Sequence, residues 1–181
     1  MKKITILRGP SSSGKSSLMQ LVRERFIQEN IEYAFIDTND LSFHFTVQTN
    51  KGRGTCMYKN LLGLTKNFIE ADLSVCIVGT LQNEAIIKEL EMMAKEQQVA
   101  FQLIRLKGDF KELEAREKLI SLNEKNKGFI RYSGHTQLLK MSEEDWLKQI
   151  QIFEGQFENE IIFQMSENNA QLFYQILLDE R

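Results

Sequence analysis

A loop bounded by two glycines is the most constraining feature of this chain. Residues 9–16 read Gly-Pro-Ser-Ser-Ser-Gly-Lys-Ser, which matches the spacing G-x-x-x-x-G-K-[ST]. The run Lys3–Arg8 before the loop is typical of a strand, and apolar residues at helical spacing after it, through Phe26, predict an amphipathic helix. A strand, this loop and a helix, in that order, form the context in which the pattern binds phosphate. The sequence therefore predicts an α/β fold that holds a nucleoside triphosphate.

Three kinds of phosphate-binding group come together in this loop. Its glycines let successive backbone N–H groups point inwards as an anion nest, and the following helix adds the positive end of its dipole. Lys15 is predicted to reach the β- and γ-phosphates, and the Ser16 hydroxyl is predicted to bind Mg²⁺. We therefore expect ATP and Mg²⁺ as cofactors. The predicted nucleotide-binding residues of this segment are Gly9, Pro10, Ser11, Ser12, Ser13, Gly14, Lys15, Ser16 and Ser17.

Strand and helix patterns alternate along the rest of the chain. Further strands are predicted at residues 32–36, 73–78, 99–106 and 160–165. Helices are predicted at residues 56–71 and 82–97, and others start near Asp109, Ser142 and Asn168. This alternation favours a P-loop fold, with a five-stranded parallel sheet flanked by helices. A length of 181 residues fits a single domain.

The composition of the chain indicates which kinds of binding partner are favoured. The formal net charge is −2, so no overall basic field attracts nucleic acid or an anionic membrane. Cys56, Cys76 and the two histidines have no metal-ligand spacing. No apolar stretch is long enough to span a bilayer, and Arg8 interrupts the short apolar run near the start, so a signal peptide is not predicted. We expect a cytoplasmic protein without membrane contacts, for which nucleic acid is an unfavoured partner.

Asp37 follows the second predicted strand. Ligands of a parallel sheet bind at the carboxyl ends of its strands, so its carboxylate is expected on the same edge as the phosphate loop. There it can orient an attacking hydroxyl and accept its proton, as a catalytic base. The alternative is that Asp37 caps a short helix beginning near Asn39 or Asp40. Asp40 is a second candidate for substrate contact, and its alternative is a solvated acid in the first turn of that helix.

The segment from about 38 to 58 is predicted to form the acceptor site. It mixes aromatic and polar groups, and Arg53 is its candidate for substrate binding. His44 could bind a substrate hydroxyl, but His44 and the phenylalanines Phe43 and Phe45 are explained by ordinary packing as well. The third strand ends in Gly79-Thr80 without an acid, and Thr80 is a further candidate for substrate contact. Mg²⁺ would then be held by Ser16, phosphates and waters, or with help from Asp37 through water.

A basic segment at about 116–135 has the character of a lid. Arg116 lies on the helical face that carries Leu113 and Leu119, from which it can reach a phosphate. Alternatively it covers apolar surface or pairs with Glu112. Arg131, further along this segment, is a second candidate for contact with the nucleotide, although such charge runs are often solvated loops.

Together, the phosphate loop, Asp37 and the stretch Leu113-Glu-Ala-Arg116-Glu-Lys, followed by the basic segment, resemble the small P-loop kinases. The family that these residues resemble most is the chloramphenicol phosphotransferase-like family. The resemblance implies an ATP-dependent kinase with a five-stranded parallel sheet flanked by helices. It also implies that Asp37 is the base that activates a substrate hydroxyl, and that Arg116 and Arg131 contact phosphate. Residues 38–55 carry no motif that assigns an antibiotic as the acceptor.

Three functions fit these features. The first is transfer of the γ-phosphate of ATP to a hydroxyl of a small molecule, with Asp37, Lys15 and Arg116 as the catalytic residues. The second is a nucleoside, nucleotide or polynucleotide 5′-hydroxyl kinase, whose polynucleotide form the acidic balance disfavours. The third is a nucleotide-gated switch or regulatory binding module without kinase activity.

Overall fold

A computed structural model describes residues 1–10, 13–42, 50–115, 118, 142–153, 157–164 and 169–179. Within this part the chain forms one five-stranded sheet in which all neighbouring strands are parallel. The strands are β1 (Lys3–Arg8), β2 (Ala34–Asp37), β3 (Val75–Gly79), β4 (Ala100–Lys107) and β5 (Ile161–Gln164). Their order across the sheet is β2-β3-β1-β4-β5. The predicted five-stranded parallel sheet is therefore confirmed.

Helices connect the strands and cover both faces of the sheet. They are α1 (Lys15–Gln28), α2 (Thr38–Ser42), α3 (Asn50–Glu70), α4 (Glu84–Glu96), α5 (residues 110–115), α6 (Glu143–Gln151) and α7 (Asn169–Leu178). Side-chain caps are present at the starts of two of the predicted helices. The Asp109 carboxylate accepts from the backbone N–H of Lys111 at 2.9 Å, and the Ser142 hydroxyl accepts from that of Asp145 at 3.2 Å.

Helix α3 begins at Asn50, six residues before the predicted start at Cys56. The sequence Asn-Lys-Gly-Arg-Gly-Thr, with its two glycines, indicated a loop. A glycine inside a helix costs only about 1 kcal/mol relative to alanine, and helix propagation is favourable once a nucleus exists. The apolar face of α3, with Leu61 and Ile69 buried in the core, supplies that nucleus.

Two apolar layers hold the sheet between the helices. On one face, Ile4, Ile6 and Ile77 pack against residues of α3 and α4. On the other face, Leu7 and Val78 pack against α1 and α7. Continuous burial of β1 and β3 is the pattern of parallel strands covered on both faces. Among the described residues, no helix is both long and apolar enough to cross a membrane.

Parallel pairing gives the sheet two distinct edges. At the carboxyl edge, which we define by the strand ends Arg8, Asp37 and Gly79, Arg8 is paired with Gly79 and Asp37 with Val78. At the amino edge, defined by the strand starts Lys3, Ala34 and Val75, the helices return to the sheet. The phosphate loop follows Arg8 directly, so it lies at the carboxyl edge together with Asp37, where ligands of such sheets bind.

Candidate functional site

The phosphate loop has a backbone that depends on glycine. Gly9 has φ of 149° and Gly14 has φ of 89°. A Cβ atom on Gly9 would lie 2.5 Å from the carbonyl oxygen of Leu106 in β4. Any other residue at position 9 would therefore push β4 away from the loop, because this distance is shorter than real contacts allow. Ser13, inside the loop, is fully buried.

Helix α1 starts from this loop without a side-chain cap. Its N-cap is Gly14, which makes no side-chain hydrogen bond, and its first turn contains no acidic residue. By contrast, the N-cap of α4, Asn83, accepts a hydrogen bond from the backbone N–H of Ala85. The N–H groups of the first turn of α1 and the positive end of its dipole therefore remain available to an anion.

Lys15 is buried at the centre of the loop. Its side chain is shielded from solvent, and its Nζ donates to the carbonyl oxygen of Pro10 at 2.5 Å and to the Ser13 hydroxyl at 3.1 Å. Burial lowers the pKa of Lys15 from its ordinary value to about 7, against an opposing effect of the Asp37 carboxylate. A phosphate in the loop would supply an anionic partner in direct contact with this ammonium.

Asp37 joins the phosphate loop to the second strand. Its Oδ2 accepts a hydrogen bond from the Ser16 hydroxyl at 2.6 Å, and its Oδ1 accepts one from the backbone N–H of Asn39 at 2.9 Å. The carboxylate thus caps α2 with one oxygen, which is the alternative that the sequence left open, and faces the loop with the other. The cap fixes the orientation in which the second oxygen meets Ser16.

The oxygen donors at this point fit Mg²⁺. A hydroxyl and a carboxylate lie together at Ser16 and Asp37, and Mg²⁺ in such sites takes one or two carboxylates besides phosphate oxygens and waters. Within the described part of the chain, no group of three or more His, Cys, Asp or Glu residues forms a dedicated metal cluster. The metal suggested by this site is therefore one that is held largely by its phosphate ligand.

The end of β3 lacks an acid for a steric reason. A Cβ atom on Gly79 would lie 2.0 Å from the Thr38 Oγ1 atom, so the start of α2 occupies the space that a side chain would need. Leu81, two residues further on, is buried although its φ is 40°. A branched residue in this conformation is strained, and such strain is often kept near binding sites. The steric reason at Gly79 depends on how α2 packs against β3, which the sequence does not show, and the positive φ of Leu81 has no sequence signal.

The structure brings some of the predicted substrate residues to the carboxyl edge. Thr80 follows β3 there and is half-buried, and Asp40 lies in α2 with an exposed side chain. The backbone of Arg53 belongs to α3, and its side chain lies outside the described part. Four further predicted residues also lie outside it: Ser11, Ser12, Arg116 and Arg131.

A buried ion cluster beside the loop was not predicted. The Arg8 Nε atom lies 2.5 Å from one carboxylate oxygen of Glu160, and the Arg105 Nε atom lies 3.1 Å from the other. The Arg8 guanidinium also lies over the rings of Phe157 and Phe153, at 4.8 and 5.5 Å. Since Arg8 directly precedes Gly9, the cluster fixes the strand end from which the loop departs. Its one sequence signal is an arginine that directly follows Ile6 and Leu7 at the end of the strand.

Comparison with solved structures identifies the fold. The chain is similar to the APS kinase CysC of Mycobacterium tuberculosis, solved in complex with AMPPNP and APS, at 13% identity and a TM-score of 0.63 over 98% of each chain. It is also similar to a gluconokinase of Sinorhizobium meliloti, at 14% identity and a TM-score of 0.59 over 98% of this chain and 90% of that one. A third similar structure is Kti12 of Chaetomium thermophilum in complex with ADP-AlF3, at 13% identity and a TM-score of 0.60 over 97% of each chain.

These likenesses assign the fold of P-loop kinases to this chain. No protein-family model matches the chain, and no curated protein matches it in sequence. None of the three structures carries the name of a chloramphenicol phosphotransferase, so that narrower relationship is not confirmed.

Proposed function

We propose that this protein is an ATP-dependent phosphotransferase that moves the γ-phosphate to a hydroxyl group of a small molecule. The observation that carries the proposal is the contact between Asp37 and Ser16, 2.6 Å long, beside the desolvated Lys15. In this contact a fixed carboxylate lies beside Ser16, the last residue of the phosphate loop. Two of the similar structures are kinases of small molecules by name, the APS kinase and the gluconokinase, which supports the proposed class of acceptor.

Binding of the donor would rest on the loop and on α1. The first N–H groups of α1 and the loop backbone would hold the phosphates, and Lys15 would exchange its contact with the Pro10 carbonyl for a phosphate oxygen. Ser16, with Asp37 close by, would hold Mg²⁺, which neutralises charge on the phosphates when bound. Ser11, Ser12 and Ser17 complete the proposed loop contacts.

Asp37 would act on the acceptor. In the proposed step the hydroxyl oxygen forms a bond to the γ-phosphorus, and the bond from that phosphorus to the bridging oxygen of the leaving ADP breaks. The hydroxyl proton passes to the Asp37 carboxylate. The hydrogen bond from the Asn39 N–H to Oδ1 keeps the carboxylate in place, so the reaction needs little reorganisation around it.

The remaining predicted residues complete the proposal. Arg116 and Arg131 would close over the transferred group and exclude water, which otherwise competes as the acceptor. Asp40, Arg53 and Thr80 would contact the acceptor. A relationship to the chloramphenicol phosphotransferase-like family is part of this proposal through the predicted roles of these residues, and it assigns no antibiotic.

A panel of acceptors with γ-labelled ATP tests this function. Small alcohols, sugars, antibiotics, nucleosides and oligonucleotides would be incubated with the protein, and label on anything other than water would be measured. We expect Lys15→Ala to abolish transfer, because it removes the cation of the loop. We expect Asp37→Asn to keep nucleotide binding and to lose transfer by about 10²–10⁴-fold, the usual contribution of a general base.

Three outcomes would contradict the proposal. Full activity of purified Asp37→Asn protein would remove Asp37 from the mechanism. Label on nucleosides or oligonucleotides alone would establish the nucleic-acid kinase instead. Tight nucleotide binding with slow hydrolysis and no labelled acceptor would favour a nucleotide-gated switch.

A further inference from the structure

A groove between α1 and β2 ends at the candidate base. It encloses a cavity of about 420 Å³, and its lining includes Arg23 of α1, Tyr33 and Phe35 beside and within β2, and Asp37 and Asp40 at the carboxyl edge. We call it the α1–β2 groove. This volume is in the range of small-molecule sites. Because Asp37 belongs both to this lining and to the contact with Ser16, the groove leads directly to the predicted transfer site.

The groove has an aromatic floor. The ring centroids of Tyr33 and Phe35 lie 5.3 Å apart, and those of Phe26 lie 5.2 Å from Tyr33 and 5.6 Å from Phe35. Phe26 is almost fully buried, whereas Tyr33 and Phe35 are only partly buried. Such mutually packed rings present a fixed apolar surface, which suits a ligand with a ring or another flat apolar body.

The charges along the groove are separated. Asp37 and Asp40 lie at the end of the groove nearest the carboxyl edge. Arg23 lines the groove two helical turns after Ser16, which is about 10 Å along α1. Among the described residues, Arg23 makes no ion pair or hydrogen bond. Arg25, on the same helix, pairs instead with Glu29 and lies over the Tyr174 ring. Apart from Lys15 at the phosphate loop, Arg23 is therefore the available cation of α1.

We propose that the α1–β2 groove is the acceptor subsite, and that it takes an alcohol with a ring body and an anionic group at the end remote from the hydroxyl. This inference rests on the proposed phosphotransferase function. The hydroxyl lies at Asp37, the ring lies on Tyr33 and Phe35, and the anion pairs with Arg23. The transfer step is the one described above, with the hydroxyl proton passing to Asp37 and ADP leaving.

Three matched probes test the charge preference of the groove. 4-(Hydroxymethyl)benzoate carries the ring, the hydroxyl and a remote anion, benzyl alcohol lacks the anion, and 4-(hydroxymethyl)benzylamine replaces it with a cation. Binding would be measured by NMR with Mg²⁺ and a non-hydrolysable ATP analogue present, following the ring resonances of Tyr33 and Phe35. The benzoate should bind most tightly and shift both sets of resonances.

Charge reversal at Arg23 provides the decisive comparison. In Arg23→Glu protein the benzoate should bind about fivefold more weakly or worse, and the benzylamine should become the preferred probe. The control is Lys59→Glu, the same charge change at an exposed residue of α3 outside the groove, which should leave all three affinities unchanged. Far-ultraviolet circular dichroism would verify that both variants fold.

The outcomes separate this inference from the proposed function. Unchanged benzoate affinity in Arg23→Glu protein, shifts away from Tyr33 and Phe35, or no binding of any probe would overturn the acceptor subsite. Labelled transfer to a different alcohol that Arg23→Glu leaves unaffected would do so while the phosphotransferase stands. Groove binding with the expected charge preference, but with no transfer to any alcohol, would overturn the function and leave a ligand site.

Discussion

Among the residues that the structure describes, two lysines are buried, and they lie at opposite edges of the sheet in different surroundings. At the amino edge, Lys3 Nζ donates to the carbonyl oxygens of Ile176 and Asp179, both at 2.5 Å, at the C-terminal end of α7. At the carboxyl edge, Lys15 Nζ donates to one carbonyl and one hydroxyl, and burial lowers its pKa to about 7. The first ammonium lies at the negative end of a helix dipole, which stabilises it, and the second lies near a positive end.

The difference distinguishes a lysine that is buried in a stabilising contact from a lysine that is buried at the proposed phosphate site. Lys3 stabilises the fold because its charge meets carbonyl oxygens at the C-terminal end of α7. Lys15 is held in a site that disfavours its charge until an anion arrives. A buried cation beside an uncapped helix N-terminus therefore supports the proposed role of Lys15 in binding phosphate. Burial alone does not separate the two, since their exposed fractions are 5% and 7%.

Replacing each lysine by methionine breaks this comparison most strongly. In Lys15→Met protein, nucleotide affinity should fall about 10²-fold, the loss of a charge-assisted contact, while the free energy of unfolding at pH 7 stays equal or rises. In Lys3→Met protein, the free energy of unfolding should fall by about 2–4 kcal/mol with nucleotide affinity unchanged. Urea unfolding and calorimetric titration would measure both quantities.

Each methionine variant is the control for the other, because both remove one buried ammonium. Loss of nucleotide binding in folded Lys3→Met protein would contradict the assignment of Lys3 to structure alone. A clear loss of stability in nucleotide-free Lys15→Met protein would show that its contacts with Pro10 and Ser13 outweigh its desolvation.

The pH dependence of nucleotide binding sharpens the role of Lys15. Because its pKa is about 7 in the free protein and a phosphate favours its charged form, binding above pH 7 takes up a proton. Affinity should therefore fall as the pH rises from 7.5 to 9, by up to about tenfold per pH unit. Titration in buffers of different ionisation enthalpy would measure the proton uptake. Equal affinity across this range would contradict the lowered pKa.

The same pKa shift has a defined sign for stability without nucleotide. The unfolded chain keeps Lys15 protonated up to its ordinary pKa of 10.5, whereas the folded protein releases the proton near pH 7. The destabilising effect of Lys15 is therefore complete below pH 7 and fades between pH 7 and 10.5. Lys15→Met protein should lack this rise in stability with pH, and it serves as the control for both measurements.

Local patterns explain how much of the molecule was predictable. The strands and the phosphate loop follow from contiguous residues, and the parallel-sheet rule placed Asp37 at the edge where it contacts Ser16. The early start of α3 was not predicted, because the two glycines before Cys56 indicated a loop, whereas a helix extends cooperatively through them. The cluster of Arg8 and Glu160 joins residues 152 positions apart, and no local pattern encodes such a contact. The α1–β2 groove likewise depends on how a helix packs beside a strand.

Glycine use gives the smallest contrast, between the phosphate loop at the carboxyl edge and the helix ends at the amino edge. At the carboxyl edge the positive φ values of the loop belong to Gly9 and Gly14. At the amino edge, Asn30, Asp72 and Gln98 adopt φ values of 55°, 71° and 54° where α1, α3 and α4 end. In each case the next residue donates back to the last turn of its helix, as in Val99 N–H to the Ala94 carbonyl at 2.9 Å. This edge therefore tolerates strain that glycine would relieve.

Gln98→Gly should stabilise the protein by about 0.5–1 kcal/mol, because glycine adopts the left-handed conformation without a Cβ penalty. The matched control is Gln97→Gly, an exposed neighbour with φ of −86°, where glycine relieves no strain and should cost about 0.5–1 kcal/mol. Urea unfolding of the two variants should give changes of opposite sign. If both variants lose stability, contacts of the Gln98 side chain and the greater freedom of glycine in the unfolded chain together outweigh the relief of backbone strain at this edge.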